Sequence, residues 1–342
     1  MTKKPISPSI SKNLESEFGL IRELLAPLAQ NPTALGLRDD AAVLSPPAGF
    51  DLVISTDALV SGVHFPSQAE ARLVANRVLA CNISDLAAKG ATPAGCTLTL
   101  GLSPDWDDTY VRELISAFGQ GLTAWGLELW GGDTVRVPTT GFVSLTVHGF
   151  VASGKMLPRA GAQVGDAVYV TGVIGDGWLG LQQNMGEQEN LADARKAYSD
   201  PQPPLAFGQK LIGLATSALD ISDGLLGDLD HLCDASGVGM DIHAADIPYS
   251  TAGQGYLSAN GALENLLGGG DDLQIGFTAP PENGDALRAL AQATQTQVTQ
   301  IGQVSRAVSS TDKPTDSSSP LAVLRAPNGA EIAVATRGYR HF

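Results

Sequence analysis

The chain is 342 residues long, 43% hydrophobic and 17% charged, with 36 Asp and Glu against 21 Lys and Arg, a net charge of −15. That length suggests about two domains, each able to bury a core, and the hydrophobic content excludes global disorder. So few cations argue against a nucleic-acid partner, and an acidic chain that takes an anionic substrate is expected to use metal ions as intermediaries.

Residues 1–13 are basic and rich in Ser and Pro and read as a frayed tail; with no apolar run behind them they do not read as a secretory signal. The apolar pattern predicts a helix around 16–30, a short strand AAVL (41–44) and a strand LVISTD (52–57) that ends in a carboxylate. A long helix over 68–89 stops at Gly90, and TLTLGL (97–102) follows as a strand. Val111, Leu114, Ile115, Phe118, Leu122 and Trp125 recur at helical spacing over 107–125, which makes them a core stripe. LELW (127–130) runs into Gly131-Gly132-Asp133, and FVSLTVHGFV (142–151) alternates as a strand does.

The Gly-, Ala- and Pro-rich stretch over 152–165 marks a boundary, dividing 1–152 from 153–342. Beyond it come a strand DAVYVTG (166–172), helices near 176–185 and 205–215, and ALDISDG (218–224) leading into a helix. LQIGFT (273–278) reads as a strand, 284–294 as a helix, 309–320 as a mobile low-complexity loop, and AVLRAPNGAEIAV as a hairpin with a type I′ turn at Asn328-Gly329. Strands and helices mix without strict βαβ order, so the predicted fold class is α+β in two domains. No apolar run reaches 18 residues, so no membrane span is expected and the protein is placed in the cytoplasm. Cys81, Cys96 and Cys233 form no CxxC pair, and Cys81 and Cys233 are read as core residues of helices.

Several familiar chemistries are missing. There is no phosphate-binding G-x-x-x-x-G-K-[ST] loop, Gly154-Lys155-Met156 being a poor approach to one, and neither H-E-x-x-H nor G-x-S-x-G occurs. The five histidines are scattered, which disfavours zinc. Gly175-x-Gly177-x-x-Gly180 follows a strand and opens a helix as a dinucleotide fingerprint would, but no strand ending in an acid follows about twenty residues on, so a plain Gly-rich turn is the better reading.

The aspartates are distributed differently. Asp39 and Asp40 precede AAVL, Asp57 ends a strand, and Asp133 follows two glycines. Asp220 and Asp223 bracket Ser222, which is placed to cap the next helix and offer its N–H groups to an anion, while Asp271 and Asp272 follow three glycines. Asp85 shares the stripe of Val74, Val78 and Cys81, where a carboxylate is costly unless something neutralises it. One Asp beside Gly reads as a turn or cap. Four or more segments each supplying one read more simply as a shared site for a hard cation, and oxygen ligands favour Mg²⁺, Mn²⁺ or Ca²⁺. Mg²⁺ in turn accompanies phosphates, with Lys155 and Arg159 to assist.

In order along the chain, SEFGLI (16–21), GLRDDAAVL (36–44), ISTDALVSGVHF (54–65), NISDLAAKGATP (82–93), GGDTVR (131–136), VTGVIGDGWLGL (170–181), ALDISDGLLGDL (218–229), GGDDLQIGFT (269–278) and GYRHF (338–342) resemble the thiamine-monophosphate kinase family. The resemblance implies the aminoimidazole-ribonucleotide synthetase-like fold: two α+β domains, each a mixed sheet packed with helices, in a homodimer joined through the N-terminal domain with ATP at the subunit interface. It implies transfer of the ATP γ-phosphoryl group to thiamine monophosphate with several Mg²⁺ ions. Carried onto this chain, Asp40, Ser55, Thr56, Asp57, Asp85, Asp133, Asp220 and Asp223 would hold metal. Gly132, Asp133, Arg159 and Ser222 would contact ATP, and His64, Asp271 and Tyr339 the thiamine substrate. The chain departs from the family pattern at Arg38, where Gly is usual, and at Asp271 and Leu273, where Glu and Tyr are usual.

Two rivals remain at this point. A sister enzyme of the superfamily is the first, but a selenophosphate synthetase would carry an N-terminal-region Cys or selenocysteine beside a Lys, and a hydrogenase-maturation enzyme a terminal Cys in place of Phe342. A non-catalytic Mg–nucleotide-binding protein is the second; it would be expected to have lost the metal aspartates, which are all present.

Overall fold

The computed structural model describes residues 17–184, 192–306 and 321–339. The expectations for residues 1–13, for 309–320 and for the last three residues lie outside them. The first helical stretch is α1 (Glu17–Leu20), which passes into a π turn (Ile21–Leu25) and then a 3₁₀ turn (Ala26–Leu28), where Pro27 supplies no N–H to continue the ladder. No strand forms over 41–44. Leu35, Gly36 and Leu37 take left-handed conformations just before it, and Val43 is 64% exposed, so the segment has no buried face to pair from.

The first sheet consists of β1 (Phe50–Val60), β2 (Thr92–Leu102), β3 (Glu128–Arg136) and β4 (Phe142–Ala152), with α2 (Ala71–Ala88) between β1 and β2 and α3 (Asp108–Trp125) between β2 and β3. Its order is β1-β4-β2-β3, with only β2 and β3 parallel. Both helices cover one face: Val143, Leu145 and Val147 of β4 meet Val78, Leu79, Leu114 and Phe118 in one core. α3 carries the predicted stripe, started by the Asp107 carboxylate accepting from Tyr110 N–H and ended at left-handed Gly126. Asp57 and Asp133 fall inside strands, not at their ends, because β1 and β3 run on past them.

The second sheet holds six strands. Its elements are β5 (Ala167–Thr171), α4 (Asp176–Asn184), α5 (Ala192–Ser199), α6 (Leu205–Leu211), β6 (Ser217–Ile221), α7 (Leu225–Ser236), β7 (Val238–His243), α8 (Thr251–Ser258), α9 (Leu263–Gly268), β8 (Gln274–Ala279), α10 (Gly284–Ala293), β9 (Val298–Arg306) and β10 (Ala322–Arg325). The order is β10-β7-β9-β5-β8-β6, antiparallel except for β10 beside β7. Both sheets are therefore mixed and helix-packed, as expected. At 326–329 the turn differs from type I′. Only Gly329 has positive φ, Gly329 N–H bonds Ala326 C=O, and Pro327 sits where its fixed φ favours an ordinary turn.

α2 joins the halves. Its residues are buried on nearly every side because β1 and β4 pack on one flank and α6, β6 and β8 on the other. That corrects the single apolar stripe: Val74 and Val78 are fully buried, whereas Cys81 and Asp85 are half-buried and face a cavity. Cys96 and Cys233 are core residues; Cys81 is a wall residue.

Candidate active site

The cavity lies where the two sheets meet across α2 and has a volume of about 440 Å³. Arg77, Cys81 and Asp85, spaced by four residues, present one helical line to it. From β1 comes Asp57, with Thr56 only bordering the cavity while its hydroxyl donates to Leu145 C=O and accepts from Thr146. Asp220 comes from the end of β6, and Ser222 and Asp223 from the turn behind it. Ser55 Oγ donates to Asp85 Oδ2 at 2.5 Å. Among the described residues no ion pair neutralises Asp57, Asp85 or Asp220. Burial, then the charges of Asp85 and Asp223, push Asp57 up to about 6. Burial likewise raises Asp85, with Ser55, Lys89 and Arg159 easing it, and raises Asp220 well above the usual carboxylate range, with Asp85 and Asp228 adding to it.

The opposite wall is the loop Gly269–Leu273. Gly270 has φ +72°, and a Cβ there would stand 2.6 Å from Ser222 C=O; Asp271 and Leu273 adopt left-handed conformations despite their side chains. Asp271 N–H to Ser222 C=O (2.7 Å) and Leu273 N–H to Ile221 C=O (2.8 Å) hold that strained path. Asp271 Oδ1 is thereby set 2.5 Å from Arg77 Nη2. His64 and Tyr339 also line the cavity; His64 Nδ1 accepts from Val60 N–H and Tyr339 N–H bonds Asp223 C=O.

Not every predicted ligand reaches this place. Asp57 lies in the row Leu145–Leu98–Gly132 across the first sheet, whose side chains point to the helix-covered face. Asp133 lies in the next row, with Thr99, Ser144 and Ala58, and Thr56 in the row of Thr146 and Thr97, both on the uncovered face. Asp57 and Gly132 are three strands apart, about 14 Å at ~4.8 Å per strand. Asp40, Gly132 and Asp133 line a second cavity of about 380 Å³ at the free edge of β3. Gly132 is tightly constrained, since a Cβ would meet Leu98 C=O at 1.9 Å. Arg159 is exposed, near enough to ease the charge on Asp85.

Residues 38–151 match the family model "AIR synthase related protein, N-terminal domain" and 163–311 the corresponding C-terminal domain. A thiamine-monophosphate kinase of Caulobacter vibrioides is 39% identical over 299 residues, covering 84% of this chain and 84% of its own. The crystal structure of thiamine-monophosphate kinase from Stenotrophomonas maltophilia K279a superposes with a TM-score of 0.76 at 36% identity, over 85% of this chain and 94% of that one. The chain belongs to the thiamine-monophosphate kinase family. A further solved structure, AaThiL complexed with AMPPCP and TMP, matches at 25% identity and a TM-score of 0.73, over 98% of this chain and all of that one.

Within that family frame, two Gly-rich turns turn out to bind internal carboxylates. The N–H groups of Ser222, Asp223 and Gly224 all bond Asp228 Oδ2, from the first turn of α7, so Ser222 does not act as the helix cap. Gly175 and Gly177 N–H bond Asp272 in the same way, and Gly177 and Gly180 are glycines because a Cβ would strike Asp271 and Ala194 backbone. Burial pushes Asp228 up to about 7 and Asp272 up to about 8, against the pull of those N–H donors. Arg77 was the residue that sequence reasoning missed. The argument that singled out Asp85, a charge on an apolar helix, applies equally to Arg77 eight residues earlier on the same line.

Proposed function

We propose that this chain transfers the γ-phosphoryl group of ATP to the phosphate of thiamine monophosphate, forming thiamine diphosphate and ADP. The observation that carries the proposal is the meeting of Asp57, Asp85, Asp220 and Asp223 from both sheets at one cavity, where burial raises the first three and repulsion from neighbouring carboxylates adds to it at Asp57 and Asp220. Such a group of hard oxygen donors suits Mg²⁺. Among the described residues no three Asp, Glu, His or Cys groups form a ready-made metal cage. Mg²⁺ does not require one, because it takes one or two carboxylates and completes its shell with water and phosphate oxygens.

In this reading Ser55, Asp57, Asp85, Asp220 and Asp223 hold metal at the inner cavity, and Asp40, Thr56 and Asp133 hold it at the outer face. Bound Mg²⁺ supplies neutralisation of the phosphates that must approach one another. Gly132, Asp133, Arg159 and Ser222 orient the nucleotide; His64, Asp271 and Tyr339 orient the thiamine portion. An acceptor phosphate oxygen then forms the new P–O bond in line with departing ADP. That oxygen is already largely ionised at neutral pH, so neither a protein nucleophile nor a dedicated base is needed.

We further propose a homodimer through the first domain (1–152), the second domain being 153–342, acting in the cytoplasm. Its support is the uncovered sheet face, with Ile54 58% and Val135 41% exposed, which carries the Thr56 and Asp133 rows. Among the described residues no helix is long and apolar enough to cross a membrane. The test is direct: purified protein with ATP, Mg²⁺ and thiamine monophosphate yields thiamine diphosphate. No product above the enzyme-free control would sink the kinase reading, and tight ATP binding without turnover would favour a binding protein.

A further inference from the structure

The phosphoryl-transfer reading assigns no role to Arg77 or Tyr198, yet both are among the most deeply buried large side chains. Arg77 is 1% exposed and reaches the cavity wall from α2. Its guanidinium sits 3.9 Å above the Tyr198 ring, Nη1 donates to Tyr198 C=O at 3.2 Å, and Nη2 donates to Asp271 at 2.5 Å. Nε is buried with no acceptor among the described residues. Tyr198, fully buried at the end of α5, donates its hydroxyl to His64 C=O at 3.1 Å. One stacked pair therefore reaches two cavity residues from different loops: His64 in the loop after β1, and Asp271 in the strained loop before β8.

A buried cation has a strong physical requirement for its partner, so the Asp271 carboxylate is confined to one rotamer, with Oδ1 engaged by the guanidinium. Burial works against the charge on Arg77, and Asp271, Tyr198 and Cys81 together more than offset that cost. The acidic cluster sits at the other end of the same helical line: Arg77 and Asp85 are eight residues apart, about 12 Å along a helix. The cavity is thus divided. One end carries the carboxylates suited to metal and phosphate, and the other carries a rigid, charge-balanced wall.

We propose that Arg77 and Tyr198 are positioning residues that fix His64 and Asp271 on facing walls, and so govern how tightly the organic cation of the acceptor is held, without governing ATP. This rests on the kinase reading and is tested apart from it, because wild-type turnover is measured first. Arg77→Lys keeps the charge but loses the planar fork and the stack. It should raise KM for thiamine monophosphate about ten-fold or more, the worth of one charge-assisted hydrogen bond, while KM for ATP stays within about two-fold. Tyr198→Phe keeps the ring beneath Arg77 and removes only the hydroxyl. It should fold and raise the same KM by about three-fold or more, the loss of one neutral hydrogen bond. If Arg77→Lys does not fold, Tyr198→Phe decides. A folded variant whose two KM values rise together, or whose KM for thiamine monophosphate is unchanged, overturns the proposal while leaving the kinase reading intact.

Discussion

Asp57 and Asp133 occupy similar places, each inside a strand of the first sheet, yet they live in different surroundings. Asp57 belongs to the row of Leu145 and Leu98, on the face that α2 covers, and is half-buried opposite Asp85. Asp133 belongs to the row of Ser144 and Thr99, on the face that no helix of the described residues covers; it is exposed and accepts from Thr134 N–H. Strand alternation makes this difference, since neighbouring rows point to opposite faces. It divides the aspartates into an inner group, crowded and desolvated, and an outer group at a sheet edge. The same side chain is expected to act on the reacting phosphates in one place and on nucleotide binding in the other.

The sharpest way to break this contrast is Asp57→Asn. Removing one of the crowded charges should lower kcat by about 10²–10³, the scale seen when one preorganised electrostatic group is lost. The protein should remain folded with a melting temperature no lower than wild type, because repulsion with Asp85 and Asp223 is relieved. Turnover near wild type in a folded variant would remove Asp57 from the reaction.

A second contrast lies in pH. Asp57 at about 6 and Asp228 at about 7 stand above the usual value near 3.8, so the folded chain keeps protons that the unfolded chain has released. Their contribution to stability is full below pH ~4 and is lost as pH rises through about 6 to 7. In chelator, the melting temperature should therefore fall between pH 5 and 7.5. Excess Mg²⁺ should raise it by a few °C at pH 7.5 and far less at pH 5, where protons compete for the inner carboxylates. Equal Mg²⁺ shifts at both pH values would contradict metal binding at the inner group.

Much of this arrangement was legible in the residues. Asp85 announced itself as a charge on an apolar helix, the α3 stripe follows from periodicity and the α+β class from the absence of βαβ order, whereas the mixed sheets were implied by the family resemblance. The sidedness of Asp57 and Asp133 was not legible, because it depends on the pairing of β2 with β3, whose register shifts at a bulge between Cys96 and Thr97. The central strand β9, VTQIGQVSR, escaped because its polar and glycine residues blur the alternation, although Ile301 and Val304 are buried. Ser222-Asp223-Gly224 before a helix suggested a cap; only the fold reveals that Asp228 reaches back to the same N–H groups. Arg77 required its partners to be seen, since Asp271 is 194 residues away in sequence.

The smallest effect is expected on the outer face. Asp133→Asn removes a charge that is exposed and lies among hydroxyl side chains, so neither fold nor inner carboxylates should respond. Its consequence should be confined to the nucleotide: KM for ATP up about ten-fold, one lost ionic contact, with kcat changed less. KM for thiamine monophosphate should be unaffected, the reverse of what Arg77→Lys is expected to give. If Asp133→Asn instead lowers kcat as steeply as Asp57→Asn with both KM values intact, then the two faces converge on one reacting centre. In that case the uncovered face must be brought to an inner cavity by a second copy of the chain. The pattern of KM against kcat across these two aspartates therefore distinguishes two separate tasks from a single centre assembled between subunits.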